Sequence, residues 1–403
     1  MRQLASVVTV DKVWNLEGKD RVQGCSFKEN SYEALVDKSI KENDLVVFIQ
    51  EGSILPLCPT WKFLEKRCLR EDLQGYLIKP QKFAQIKSWG LVVTTDFLNL
   101  KNVKPNQDLT DFLKIRKHEI EEEASPKKSN LHPFVKICLS HKLTRWLGNL
   151  LKRSKTSTAF PTHIISKSDE TTVQNMSGVL ERFAEWPVYV TVKMEGQSVT
   201  YLHEKRFGKP KRFYVCSRNI AYKKPNSQPL WEVAKKLDLD KRLKALYKET
   251  GLMLVLQGEL CGPNIQSNIY NFDEHKFFVY TMKDQISDTQ LSYVDFIKYA
   301  EKLGLETVPV IDSWKSVKEL FPDVKTAEEY AENKFWTKTC LNYSPRQNQK
   351  KWKHYFQHEG VVVRTIPYDK SKNLGASFKI KNLEYQEKGL GEIHILAGEK
   401  SGK

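Results

Sequence analysis

Near the start of the chain, apolar and polar positions alternate with a period of two in short runs. LASVVTVDKVW, EALVD, DLVVFIQ, GYLIKP and GLVVTT are rich in β-branched residues and are broken by Gly18, Gly24, Gly52 and Gly75, as expected of strands joined by turns. Five or so short strands without a long helix predict a small β-barrel over residues 1–95, and the OB-fold is the version favoured. Residues 96–158 read as a connector. NQDLTDF and KIRKHEIEEEASPKKS are too polar to build a core. FVKICLSHKLTRWLGNLLKR then sets Leu139, Leu143, Trp146, Leu147 and Leu150 on one helical face, suited to packing on the next domain and able to lie on a membrane or on RNA. Over 159–403 the pattern is α+β. VYVTVKM, SVTYL, RFYVC, LMLVLQGEL, KFFVYTM, EGVVVRT and ASFKIKN read as strands. Between them lie a helix opening at Pro229 and another capped by Ser292 with Asp295 and stopped at Gly304.

At 403 residues the chain exceeds the ~250–300 at which a single core stops growing, so two domains are expected. Lys and Arg number 65 against 49 Asp and Glu, a net charge of +16. Such a balance suits a polyanion, and its spread along the whole chain favours nucleic acid over a membrane surface. The seven cysteines form no C-x-x-C pair, which signals neither a zinc site nor a disulfide framework and fits a reducing compartment. No stretch approaches the ~20 apolar residues of a membrane span, and the N-terminus lacks a signal-peptide core. A soluble intracellular protein with no membrane partner is expected.

The candidate chemistry starts at TVKMEGQSVTYL. Lys193 and Glu195 stand two apart in a strand-like run ending at Gly196, an arrangement that sends both side chains from one face. A lysine amine held partly neutral by nearby cations can attack phosphorus, and the phosphoramidate formed is a good donor. K-x-x-G alone recurs by chance in any lysine-rich chain. Its weight comes from an ordered series of downstream segments: VCSRN with Arg218, QGELCGPNIQ with Glu259, KFFVYTM with Phe278 and Tyr280, HEGVVVRT with Glu359, and SFKIKN with Lys379 and Lys381.

In that order the segments resemble the motifs of the covalent nucleotidyltransferase superfamily of ligases and capping enzymes. GELCGPNIQ and FPTHIISKSDETTVQN look like RNA ligases, and the N-terminal NLEGKDRVQG, ENDLVVFIQEGSILP and YLIKPQKFAQIKSWGLVV are similar to the OB domain of Naegleria-type RNA ligases. Only 22 residues follow Lys381, too few for the C-terminal OB domain of DNA ligases and capping enzymes. The resemblance implies an α+β fold, an OB-like barrel followed by an antiparallel-sheet nucleotidyltransferase (ATP-grasp-like ligase) domain over 159–403.

The same resemblance implies ATP and Mg²⁺ or Mn²⁺ as cofactors. It makes Lys193 the nucleophile, Arg218 a contact to the ATP ribose and Tyr280 the ring on adenine, with Phe278 beside it and Gly196 closing the motif. Glu259 and Glu359 would hold a hydrated metal, Glu195 would reach its waters, and Lys379 and Lys381 would grip the α-phosphate. The implied partner is RNA with 5′-phosphate and 3′-hydroxyl ends, sealed by a monomer. DNA ligation, capping guanylyl transfer, and an RNA-binding or damage-sensing protein without turnover are the rival readings.

Two positions depart from the family. Glu195 replaces the usual Asp, one methylene shorter. Thr172 stands where relatives carry an Arg before Gln174, an Arg associated with orienting the pyrophosphate. Slow reaction with free ATP is therefore expected unless Lys167 or another cation substitutes. Plainer readings stand beside these: Arg218 and Glu259 could form a structural ion pair, and the aromatics could be core. Lys379 and Lys381 on one face of an apolar strand need an anion. Finally, QKKWKHYFQH interleaves Lys350, Lys351 and Lys353 with Trp352; such a run suits single-stranded RNA, or is a solvated loop.

Overall fold

The computed structural model describes residues 3–83, 86–118, 157–168, 170–222, 228–266, 268–270, 272–332 and 358–388. The connecting helix expected over 134–153, and the run Lys350, Lys351, Trp352 and Lys353, lie outside these residues.

In the N-terminal part, the strands Ala5–Asn15, Val22–Phe27, Glu33–Asp37, Leu45–Gln50 and Gly90–Thr94 form an antiparallel five-stranded sheet, with Ala5–Asn15 central and Glu33–Asp37 and Gly90–Thr94 at its edges. The edges curl towards each other, and Trp89 N–H donates to Glu33 O at 3.3 Å, so the barrel is nearly closed. The strand Val22–Phe27 escaped the pattern reading because Gly24 interrupts it. A Cβ there would lie 2.3 Å from Ile86 and 2.4 Å from Trp14, so the glycine is what lets a tryptophan cross the sheet.

A smaller sheet joins Ser53–Pro56 to Gly75–Leu77, Leu69–Arg70 and Arg116–Lys117. Leu109 and Ile115, with Leu98, Leu100, Val103 and Leu113, pack on the same core as Val7, Val47 and Leu55. Residues 96–118 therefore share the N-terminal core, where a connector was expected from 96. Their leucines are set among turns with no regular period, so neither the 3.6 nor the 2.0 signal exists.

The second part holds two sheets. In the first, Lys209–Cys216, Gln197–Arg206, Leu254–Cys261 and Lys276–Asp284 run antiparallel. The helices Pro229–Lys236, Leu239–Thr250 and Tyr293–Lys302 cover one face, burying Trp231, Leu243, Leu246 and Phe296 on Tyr201, Leu256 and Phe277. Pro229 opens the first helix, and the Ser292 hydroxyl accepts from Asp295 N–H at 3.1 Å at the start of the last. The second sheet orders Thr171–Thr172, Ser377–Lys381, Gly360–Thr365, Pro187–Val192 and Val310–Ser316, with only the first pair parallel. The whole is a sheet-rich α+β protein.

Buried polar contacts join the two parts. Glu328 accepts from Trp89 Nε1 at 2.9 Å and Gln174 Nε2 at 2.7 Å, and the Tyr32 hydroxyl meets Thr172 Oγ1 at 3.0 Å. Leu383, just after the last strand of the second sheet, packs with Phe27, Phe48 and Trp89 of the barrel.

Candidate active site

The lysine of the K-x-x-G motif sits where the chain leaves one sheet for the other. The strand ends at Val192 and the next begins at Gln197, so Lys193 and Glu195 lie in the crossing. The expected shared strand face is therefore absent. Lys193 N–H donates to Gly360 O at 2.9 Å, and its ammonium pairs with the Glu359 carboxylate. About a quarter of each side chain stays open, 23% and 24%. Glu195 instead is buried: its N–H donates to the Tyr270 hydroxyl at 2.8 Å, and its carboxylate accepts from Tyr385. Gly196 permits the crossing, since a Cβ would meet Leu260 O at 2.5 Å and Glu259 Cγ at 2.8 Å.

Strand register then brings the remaining charges to the same end. Gly360, next to Glu359, lies opposite Lys381, and Val362 lies opposite Lys379. Lys379 and Lys381, two apart on this strand, share a face. Lys379 is buried, and Lys381 pairs with Glu51 of the N-terminal part. Glu259 enters from the other sheet, opposite Ser198 and Phe278. The three carboxylates act on shared neighbours: burial first, then Glu195 and Glu359 among other causes, raises the Tyr385 and Tyr270 phenols, and burial with Glu259 and Glu195 raises the Cys261 thiol.

Among the described residues no three His, Cys, Asp or Glu side chains group as ligands of one bare ion. The site offers carboxylate oxygens, a donor set that fits a hard cation keeping its own waters.

Phe278 and Tyr280, grouped by sequence as nucleotide-binding aromatics, separate. Phe278 is 2% exposed and packs with Val192, Met194 and Tyr270; it is a core residue. Tyr280 falls at a register shift and is half-buried, its hydroxyl 3.4 Å from Ser198 Oγ. It lines a cavity of about 350 Å³ with Lys167, Glu170, Gln257 and Arg364. Arg218 occupies the turn after Lys209–Cys216, next to Asn219, whose side chain accepts from Lys167 at 2.7 Å.

The pattern of residues along the chain did not single out Arg364, Glu170, Tyr270, Tyr385 or Glu51. Arg364 is 4% exposed, pairs with Glu170 at 3.0 Å, and sets its guanidinium 5.8 Å from the Tyr280 ring centre. Burial opposes its charge, but Tyr189 and Glu170 outweigh burial and raise its pKa. One signal was available: it is the lone charge in GVVVRT. Thr172 is held between the Tyr32 hydroxyl and Asn175 Nδ2, the latter at 2.9 Å. At this departure from the family, the side chain serves the contact between the two parts.

His358, just before Glu359, is 1% exposed, and burial lowers its pKa to about 4. The folded chain keeps it neutral while the unfolded chain protonates near 6.5, so its contribution is present above ~6.5 and lost as pH falls towards 4. Urea unfolding at pH 7 and pH 4.5 should differ by roughly 2 kcal/mol more in the parent than in His358→Phe. Equal pH dependence would contradict the assignment.

Residues 187–381 match the RNA ligase family model. The matched span reaches from the strand before Lys193 through Lys381. In overall structure it is similar to Naegleria gruberi RNA ligase solved with PPi, at a TM-score of 0.73 and 21% identity, covering 96% of this chain and 99% of that one. A mutant of that ligase with ATP and Mn matches at a TM-score of 0.72, 21% identity, and 96% and 98% coverage. Another mutant, with AMP and Mn, matches at 0.70, 20% identity, and 96% and 99% coverage. No curated protein sequence matches the chain. No helix among the described residues is long and apolar enough to cross a membrane.

Proposed function

We propose that this protein is an ATP-dependent RNA ligase that seals 3′-hydroxyl and 5′-phosphate RNA ends through a lysyl-AMP intermediate on Lys193. The observation that carries the reading is the convergence of Lys193, Glu359, Lys379 and Lys381 at one end of a sheet within the span that matches the RNA ligase family model. Mutants of the Naegleria ligase solved with ATP and Mn, and with AMP and Mn, support ATP and a divalent ion as cofactors here. The OB reading of the N-terminal barrel, and its service in holding RNA beside the break, belong to the same proposal. Its five-stranded, nearly closed antiparallel form supports them.

In the first step the Lys193 amine attacks the α-phosphorus of ATP and pyrophosphate leaves. Glu359, paired with the Lys193 ammonium, aims the amine and can take its proton. Lys379 and Lys381 meet charge growing on the α-phosphate oxygens, and Lys381 exchanges Glu51 for phosphate. Glu259, Glu359 and Glu195 are the carboxylates that would hold a Mg²⁺ or Mn²⁺ ion, which would supply further neutralisation of phosphate charge. Tyr280 stacks on adenine and Arg218 meets the ribose. AMP then passes to an RNA 5′-phosphate, and the 3′-hydroxyl displaces AMP to close the strand. Catalysis is positioning plus electrostatics, as phosphoryl-type transfers require.

Lys379→Ala and Lys381→Ala should each slow Lys193 labelling by roughly 10²–10³-fold, the scale of one lost transition-state donor. Labelling within a few-fold of the parent would remove them from the site. Substrate class is tested by offering α-labelled ATP or GTP with Mg²⁺, then nicked RNA, nicked DNA and mixed duplexes. Labelling by GTP alone, or sealing of DNA alone, would overturn the proposal.

A further inference from the structure

Far along the strand that starts beside the motif lysine, the hairpin between Gln197–Arg206 and Lys209–Cys216 turns in two residues, Phe207 and Gly208, because Arg206 pairs with Lys209. Both turn residues have positive φ, 50° and 73°. That geometry normally selects Asn-Gly, and a bulky L-residue at its first position is strained. Yet the residue is a phenylalanine, and it is 89% exposed. Folding gains little from such a ring, so its presence points to use outside the fold. The turn is also fixed: the Tyr247 hydroxyl, from the helix Leu239–Thr250, donates to Gly208 O at 3.0 Å.

Around the ring the chemistry is cationic. Lys205, Arg206, Lys209, Lys211 and Arg212 are all exposed, and the Arg206 guanidinium lies 5.4 Å from the Phe207 ring centre. A presented aromatic with a guanidinium against its face, and with Lys209 opposite Arg206 in the same hairpin and Lys211 two residues further on, combines the two elements that hold single-stranded nucleic acid, base stacking and phosphate neutralisation. We infer that this hairpin is a contact surface for single-stranded RNA, with Phe207 as the stacking platform; that the nucleic acid is RNA rests on the ligase reading above. The strand Gln197–Arg206 has ten residues, which at ~3.3 Å each sets the tip about 30 Å from the strand's start at Gln197, four residues past Lys193. At duplex-like spacing of ~3.4 Å, on the order of nine nucleotides separate a break from this platform. The hairpin therefore grips RNA well away from the break.

The test uses the full-length protein and a fluorescein-labelled, 5′-phosphorylated single-stranded RNA of about twenty nucleotides, with anisotropy read across a salt series. Phe207→Asn relieves the turn and deletes the ring; it should melt no lower than the parent yet bind RNA about tenfold more weakly. Lys209→Ala with Lys211→Ala should lessen the slope of log affinity on log salt by about 1.4. Labelling of Lys193 by ATP, which needs no RNA, should be unchanged in both. If both variants bind with the parent's affinity and slope, the inference is overturned. It is likewise overturned if Phe207→Asn melts well below the parent, which would make the ring a packing residue. Loss of Lys193 labelling in the parent itself would sink the ligase reading instead, leaving the binding result to stand alone.

Discussion

Lys193→Ala should abolish the covalent adduct with ATP, a loss of roughly 10⁴-fold or more, the scale on which removing a covalent nucleophile acts. Lys193→Arg should be as inactive. It keeps the positive charge that pairs with Glu359, but a guanidinium cannot be deprotonated to give a free lone pair. The pair of substitutions therefore separates nucleophilicity from charge. Both variants should melt close to the parent, because the side chain is 23% exposed and its backbone bond to Gly360 survives. Adduct formation by Lys193→Arg would mean that another amine carries the nucleotide.

Arg364→Ala should give the largest loss of stability, roughly 3–5 kcal/mol, because it strands Glu170 at a site where both partners are largely buried. In a domain of this size that corresponds to a fall in Tm of roughly 6–20 °C. The loss should reach the cavity lined by Tyr280 too, since the guanidinium lies against the Tyr280 ring. Replacing both partners with apolar residues, Arg364→Met with Glu170→Leu, should recover much of the stability, since the penalty arises from an unpaired buried charge. A single substitution that costs under about 1 kcal/mol would place the pair among exposed ion pairs of little consequence.

How far the sequence revealed this molecule depended on whether a feature had a local signature. Strands such as Leu254–Cys261 and Ser377–Lys381 were legible from their β-branched and aromatic runs, and the Ser292 cap from its spacing. The strand Val22–Phe27 was not, because Gly24 serves Trp14 across the sheet, a contact outside any local window. Placing Lys193 and Glu195 on one strand face failed for a related reason. Periodicity reports a strand but not the point at which the chain leaves it for another sheet.

At the site, ordered motifs named Lys193, Glu359, Lys379 and Lys381, and register brings these to one sheet end. Glu51 carries no motif, and its pairing with Lys381 spans 330 positions, a relation set by the docking of two parts. Arg364 and Glu170 are likewise 194 positions apart. Thr172, read as a deficit at a catalytic position, bonds Tyr32 across that same contact.

The most direct measurement is to label the intact protein with α-labelled ATP and Mg²⁺, map the modified peptide, and chase the isolated adduct with nicked RNA. The expected result is label on Lys193 alone, moving to the RNA 5′-phosphate and leaving as AMP when the nick closes. Label on a different residue, or an adduct at Lys193 that RNA does not discharge, would contradict it.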